Sequence, residues 1–124
     1  MNRKIKFRAW SNEHNKYCDF VTLDENSRWI GWIQCNKVFL TTTDIILEQY
    51  TGLKDKNGKE IYEGDIVDGD MGVFEVKWYD LVAQFMFRPN MSMKYHPPFN
   101  STQLETMKVI GNIHENPELL GGEE

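Results

Sequence analysis

Two runs of strong alternation, Val73–Tyr79 and Val82–Arg88, set the first limit on how this chain folds. Phe74, Val76 and Trp78 interleave with Glu75 and Lys77, while Ala83, Phe85 and Phe87 interleave with Gln84, Met86 and Arg88. A period of two belongs to a β-strand and not to a helix, so each run is a strand with one apolar face. Pairing the runs about Asp80-Leu81 sets Phe74 beside Phe87, Val76 beside Phe85 and Trp78 beside Ala83. An aromatic face of that size must be covered, so it is core.

The preceding stretch, Gln49–Val67, reads as strand, tight polar turn, strand, and a glycine-led entry into a further strand. Asp55-Lys56-Asn57-Gly58 is the turn, where Gly58 can take positive φ without a Cβ clash. Leu53 and Ile61 are its apolar shoulders, and Gly64 marks a bulge or sharp bend before Asp65-Ile66-Val67. A second turn, Asp68-Gly69-Asp70-Met71-Gly72, leads to the alternating pair.

Upstream, Ile5, Phe7 and Ala9 alternate with Lys6 and Arg8 in a half-buried strand. Tyr17–Leu23 and Trp29–Ile33 flank a polar segment, and folding them about Asn26–Ser27 pairs Phe20 with Ile33 and Val21 with Trp32. That register also sets Cys18 opposite Cys35, although two free, partly buried thiols are the expected state. Lys37–Leu40 is another strand. The β-branched run after Thr41-Thr42-Thr43-Asp44 favours a strand into Tyr50 over a helix capped there.

Residues 89–103 read as a loop with three prolines and unusual apolar content: Met91, Met93, Tyr95 and Phe99, beside His96. Such a segment either packs back as a lid or offers a partner surface. Ser101 can cap a short helical turn through Glu105. Met107–His114 is a last strand with Gly111 at a bulge, and Asn116-Pro117 opens one helical turn through Leu120.

Charge narrows the partners. Residues 1–48 carry a net +1 and residues 49–124 a net −6, so the second half repels a phosphate backbone. The one basic stretch is Arg3, Lys4, Lys6 and Arg8, with Trp10 following; it is a candidate nucleic-acid edge. The plainer account is a solvated strand face whose lysines deter edge-to-edge pairing. No apolar run approaches the roughly 20 residues of a membrane span, and no h-region follows the basic start, so a cytoplasmic setting is expected.

Catalytic signals are absent from the pattern. Glu63, Asp65, Asp68 and Asp70 form the densest acidic group, but no calcium-loop spacing accompanies them. His14, His96 and His114 stand in separate segments, and neither cysteine has a CxxC or zinc-type context. Nothing calls for a cofactor or a metal, and a small metal-dependent enzyme is the reading with least support.

Three motifs carry a family resemblance: IKFRAW near the start, QYTGLKDKNGKEIYEGDIV in the middle, and VIGNIHENPELL near the end. In these the chain resembles the YopX family of phage and prophage proteins, over Ile5 to Leu120 and in the family's order. The resemblance implies a mainly β protein in which residues 49–124 form a small SH3-type barrel. Residues 1–48 then form an N-terminal antiparallel β-strand elaboration, with few short helical turns. It implies a bacteriophage or prophage origin and brings no catalytic residues. The expected function is a non-enzymatic protein-binding or assembly module, with Met91, Met93, Tyr95, His96 and Phe99 as the candidate protein-interaction loop and self-association into a homo-oligomer. A nucleic-acid accessory role through Arg3, Lys4, Lys6, Arg8 and Trp10 is the alternative.

Overall fold

The structure, a computed structural model, describes residues 5–69, 72–81, 83–89 and 99–120. It is mainly β, built of antiparallel strands with a few short helical turns, as the alternation requires. The chain divides into two compact units, Lys4–Gln49 and Tyr50–Glu124.

In the first unit β1 (Phe7–Ser11) lies between β2 (Lys16–Tyr17) and the opening residues of β6 (Ile45–Lys54). A separate three-stranded sheet runs in the order β3 (Phe20–Leu23), β4 (Trp29–Ile33), β5 (Val38–Thr41). Ala9, Ile33, Leu40 and Ile45 are its buried centre, with Cys18, Val21, Trp29, Val38 and Leu47 packed around them. A 3-10 turn, Thr42–Asp44, precedes β6; Asp44 accepts from the Thr41 N–H and hydroxyl, and the β-branched residues beyond it are strand.

The β3–β4 register differs from the sequence expectation by one residue. Phe20 faces Trp32 and Val21 faces Gly31. The loop is the cause: Asp24 N–H donates to Arg28 O, Ser27 N–H donates to Asp24 O, and Ser27 sits at φ 62°. This is a type I turn closed by a left-handed residue, so the loop holds Glu25, Asn26 and Ser27 and is not centred on a bond. A one-residue slip exchanges the faces of a strand. It also removes Cys35 from opposite Cys18. Both thiols are free, Cys18 half-buried and Cys35 exposed where partial burial was expected.

In the second unit, residues 50–54 of β6 pair with β7 (Glu60–Tyr62), with a register irregularity between Tyr50 and Lys54 where Gly52 has φ 89°. Then β8 (Asp65–Gly69), β9 (Gly72–Tyr79), β10 (Gln84–Pro89) and β11 (Lys108–Asn112) form a sheet in the order β10-β9-β8-β11, compatible with a small SH3-type barrel. Its core joins Ile61, Val67, Phe74, Val76, Phe85 and Phe87 to Leu104 and Met107.

The β9–β10 pair also departs from expectation, by two positions. Phe87 faces Val76 and Phe85 faces Trp78, because the connection is longer than Asp80-Leu81 and ends with Ala83 at φ 52°. An even slip changes partners and keeps faces. Phe74, Val76 and Phe87 are accordingly fully buried; Trp78, at the open end, is 38% exposed, and Ala83 lies outside the strand on the surface. The helical turn α1 (Ser101–Leu104) is capped by Asn100, whose side chain accepts from Gln103 N–H, so the cap is one residue earlier than Ser101. The bulge falls between Val109 and Gly111, and Pro117–Leu120 is a 3-10 turn.

Candidate functional site

The residues singled out from sequence scatter. Met91, Met93, Tyr95 and His96 lie outside the described residues. Phe99 is described and packs inward: its ring is 4.9 Å from that of Phe87 and 6.1 Å from that of Phe85. Of the basic edge, Arg3 and Lys4 fall outside the described residues. Arg8 is held by Glu48 (Nε to Oε1, 2.8 Å) and lies 4.4 Å over the Tyr17 ring, whose hydroxyl donates to the same Glu48 oxygen. Trp10 is 1% exposed, packs edge-on to Tyr17 and donates to Asn12. A base-stacking platform needs an exposed ring face, and Trp10 presents none.

The polar groups serve the backbone. Asp65 is buried and accepts from Tyr62 N–H; Ser11 Oγ lies 3.2 Å from His14 Nδ1; His114 N–H donates to Asn112. Cys35 accepts from Lys16 Nζ at 2.8 Å, and that bond raises the Lys16 pKa. Burial, helped by Asp19, pushes the Cys18 thiol up, which opposes thiolate formation. Among the described residues no three His, Cys, Asp or Glu side chains gather as metal ligands, and no helix is long and apolar enough to cross a membrane.

What the fold does assemble is an aromatic row. The corrected register aligns Phe20, Trp32 and Phe39 directly across β3, β4 and β5. The Trp32 and Phe39 rings are 4.5 Å apart; Phe39 is 60% exposed and Phe20 51%. The remaining strand positions of that face are Thr22, Ile30 and Thr41, so the strands carry no charge there, and the Asp24–Arg28 ion pair lies beyond its end. The Trp32 indole N–H is satisfied by Gln34 Oε1 at 2.8 Å, which fixes the ring in place. The opposite face of the sheet holds Gly31, Ile33 and Leu40 in the core. Exposed, contiguous and charge-free, such a row has the composition of an interface centre.

Sequence reasoning passed over this row because the wrong register hid Phe20 with Ile33. One signal was legible: Trp29-Ile30-Gly31-Trp32-Ile33 is apolar at both parities. A strand like that has both faces covered or shows one of them.

A groove borders the same sheet. It measures about 400 Å³ and lies between Ile5–Phe7 on one wall and Val21–Leu23 on the other, with Trp29 at its base against Phe7 (rings 5.0 Å apart).

A crystal structure of protein EF1440 from Enterococcus faecalis is 29% identical, with a TM-score of 0.70 over 96% of this chain and 99% of that one. The crystal structure of protein yopX from Bacillus subtilis is 23% identical, with a TM-score of 0.57 over 99% of this chain and 100% of that one; it bears on the fold alone. Among curated proteins nothing matches. The family described as YopX protein matches residues 6–121. With nearly the whole length matched and the three sequence motifs in order, this chain belongs to the YopX family.

Proposed function

We propose that the chain is a non-enzymatic protein-binding or assembly module, acting in the cytoplasm of a bacterium that carries the phage or prophage encoding it. The row Phe20–Trp32–Phe39 supports this reading, because water-exposed aromatics on a charge-free sheet face gain free energy when a partner covers them. Backbone contacts to a nucleic acid require several cations, and the strand positions of this face have none.

Affinity capture from cells containing the phage or prophage tests it, comparing the native chain with a Phe20→Ser/Phe39→Ser variant. Both side chains are exposed, so the fold survives the exchange within roughly 1 kcal/mol. The expected result is a defined partner that falls at least tenfold in the variant. Unchanged capture sinks the proposal, as does tight oligonucleotide binding that weakens steeply with salt.

A further inference from the structure

Lys16 to Leu23 is one run of chain that changes partners. β2 pairs with β1, and Cys18 N–H still donates to Ala9 O at 2.8 Å. One residue later Asp19 N–H donates to Trp32 O at 2.7 Å, and from there the run pairs with β4. The strand therefore leaves β1 at a pivot, and the opening between them is the 400 Å³ groove, at the lower end of the ~300–1,000 Å³ range of ligand sites.

The wall on the β3 side is a sheet edge. Among the described residues β3 is bonded to β4 alone, and its sequence, FVTL, has no lysine or proline to blunt it. Asp24 and Arg28 form a hydrogen-bonded pair, so antiparallel alternation turns the backbone of Thr22 and Phe20 toward β4. The N–H and C=O groups of Val21 and Leu23 point the other way, toward the groove. Leu23 is 48% exposed and Ile5 69%, so apolar surface flanks those polar groups.

We propose that this opening receives an extended peptide segment of a partner protein, added as a further strand on β3. The proposal rests on the protein-binding reading of the sheet and names its occupant. The segment is uncharged, four to six residues long, with apolar side chains at alternate positions. One set enters the groove against Phe7, Leu23 and Trp29; the other extends the row beyond Phe20. Among the described residues lining the groove, Lys6 alone is charged, too little for a nucleic-acid backbone. A second copy docking on the outer face finds three strands of about four residues, roughly 200 Å² of footprint, against about 800 Å² per partner in a stable interface. An added strand escapes that shortage because main-chain hydrogen bonds supply affinity along the edge.

The test is selection of a randomised dodecapeptide display library on the immobilised full-length chain, followed by synthesis of an enriched peptide with backbone N-methyl groups in each alternate register. Enriched sequences are expected to alternate apolar residues. Methylation in one register should weaken binding at least tenfold and in the other much less. Leu23→Pro, which removes an outward N–H together with an apolar side chain of the groove, should weaken it similarly, while Leu81→Ser, at a fully exposed side chain outside the groove and the row, leaves it within about threefold. Equal tolerance of both registers, or no enriched peptide, overturns strand addition. Loss by Phe39→Ser alone overturns it too, yet leaves the protein-binding reading standing. Oligonucleotide binding at the same surface overturns both, and concentration-dependent dimers broken by Leu23→Pro replace the partner with a second copy.

Discussion

Asp55 offers the sharpest test of how the family's central motif works. The residue is 6% exposed, and its carboxylate accepts three backbone N–H groups: Asn57 and Lys59 on Oδ1 and Val109 on Oδ2, each at 2.9 Å. The first two close the β6–β7 turn, where Gly58 sits at φ 81°; the third ties that turn to β11, beside a main-chain bond from Lys56 N–H to Met107 O. Burial alone would raise the Asp55 pKa, but the N–H donors of Val109, Lys59 and Asn57, with the Lys59 charge, outweigh it and hold it below its ordinary value. The carboxylate is thus selected as the charged form.

Asp55→Ala strands the half-buried Val109 N–H, which costs about 1–3 kcal/mol, and deletes two turn bonds of about 1 kcal/mol each. The total is roughly 3–5 kcal/mol. At about 2.1 cal/mol/K of unfolding entropy per residue, 124 residues give about 4 °C per kcal/mol, so Tm falls by roughly 12–20 °C if unfolding is cooperative. Asp55→Asn is more telling. An amide accepts on one side and donates on the other, so it keeps the turn or the tie to Val109, at a cost of about 2–3 kcal/mol. Because the folded-state pKa lies below the unfolded one, the carboxylate's contribution is complete above about pH 4 and drains away as pH falls through the folded value. Asp24 is shifted the same way, chiefly by its bond from Arg28 N–H, so the native curve alone is ambiguous. The difference between native chain and Asp55→Asn, measured by denaturant unfolding from pH 7 to pH 2, isolates Asp55. It should shrink below pH 4, and in the variant either the Val109 amide or the Asn57 and Lys59 amides should lose exchange protection. A difference that stays constant with pH, or stays under 0.5 kcal/mol, refutes the argument.

Two further substitutions probe the first unit. Glu48 is 3% exposed and serves both Arg8 and the Tyr17 hydroxyl, so Glu48→Ala removes the carboxylate that both share and should cost about 3–5 kcal/mol in denaturant unfolding. A loss below 1 kcal/mol would show that water replaces the carboxylate freely. At Gly31 an added Cβ would lie 2.6 Å from Cys18 Sγ, so Gly31→Ala should destabilise by about 1–3 kcal/mol. Removing the sulfur in Gly31→Ala/Cys18→Ala should recover at least half of that, and a double-mutant cycle with no coupling between the two sites would contradict the packing.

Parity explains what the sequence made legible. Alternation at Phe74, Val76, Phe85 and Phe87 identifies the core face whether the pair closes about two residues or about four, since an even slip preserves it. The β3–β4 hairpin had no such protection. Its register turned on whether Ser27 adopts positive φ, a conformation that serine takes uncommonly and that leaves no trace in hydropathy. One residue of error there moved Phe20 away from Trp32 and dissolved the aromatic row. Long-range ties were equally silent: Asp55 was read as a turn residue, and its bond to Val109 spans 54 positions.

The motif and the sheet face therefore answer different demands. Asp55, Gly58, Gly64 and Asp65 all meet backbone requirements: a carboxylate that gathers N–H groups, two positive φ angles, and a second carboxylate that holds Tyr62 N–H. Such residues cannot be exchanged without leaving a buried donor unmet or straining the chain, which is reason enough for them to form a family signature without any chemistry at the motif. Phe20 and Phe39 meet no such demand. Their side chains point to water, their strands would form with threonine in their place, and exposed aromatics burden an isolated domain with a tendency to associate. A sheet face whose apolar residues the fold does not need is the surface that the proposed protein-binding role would use.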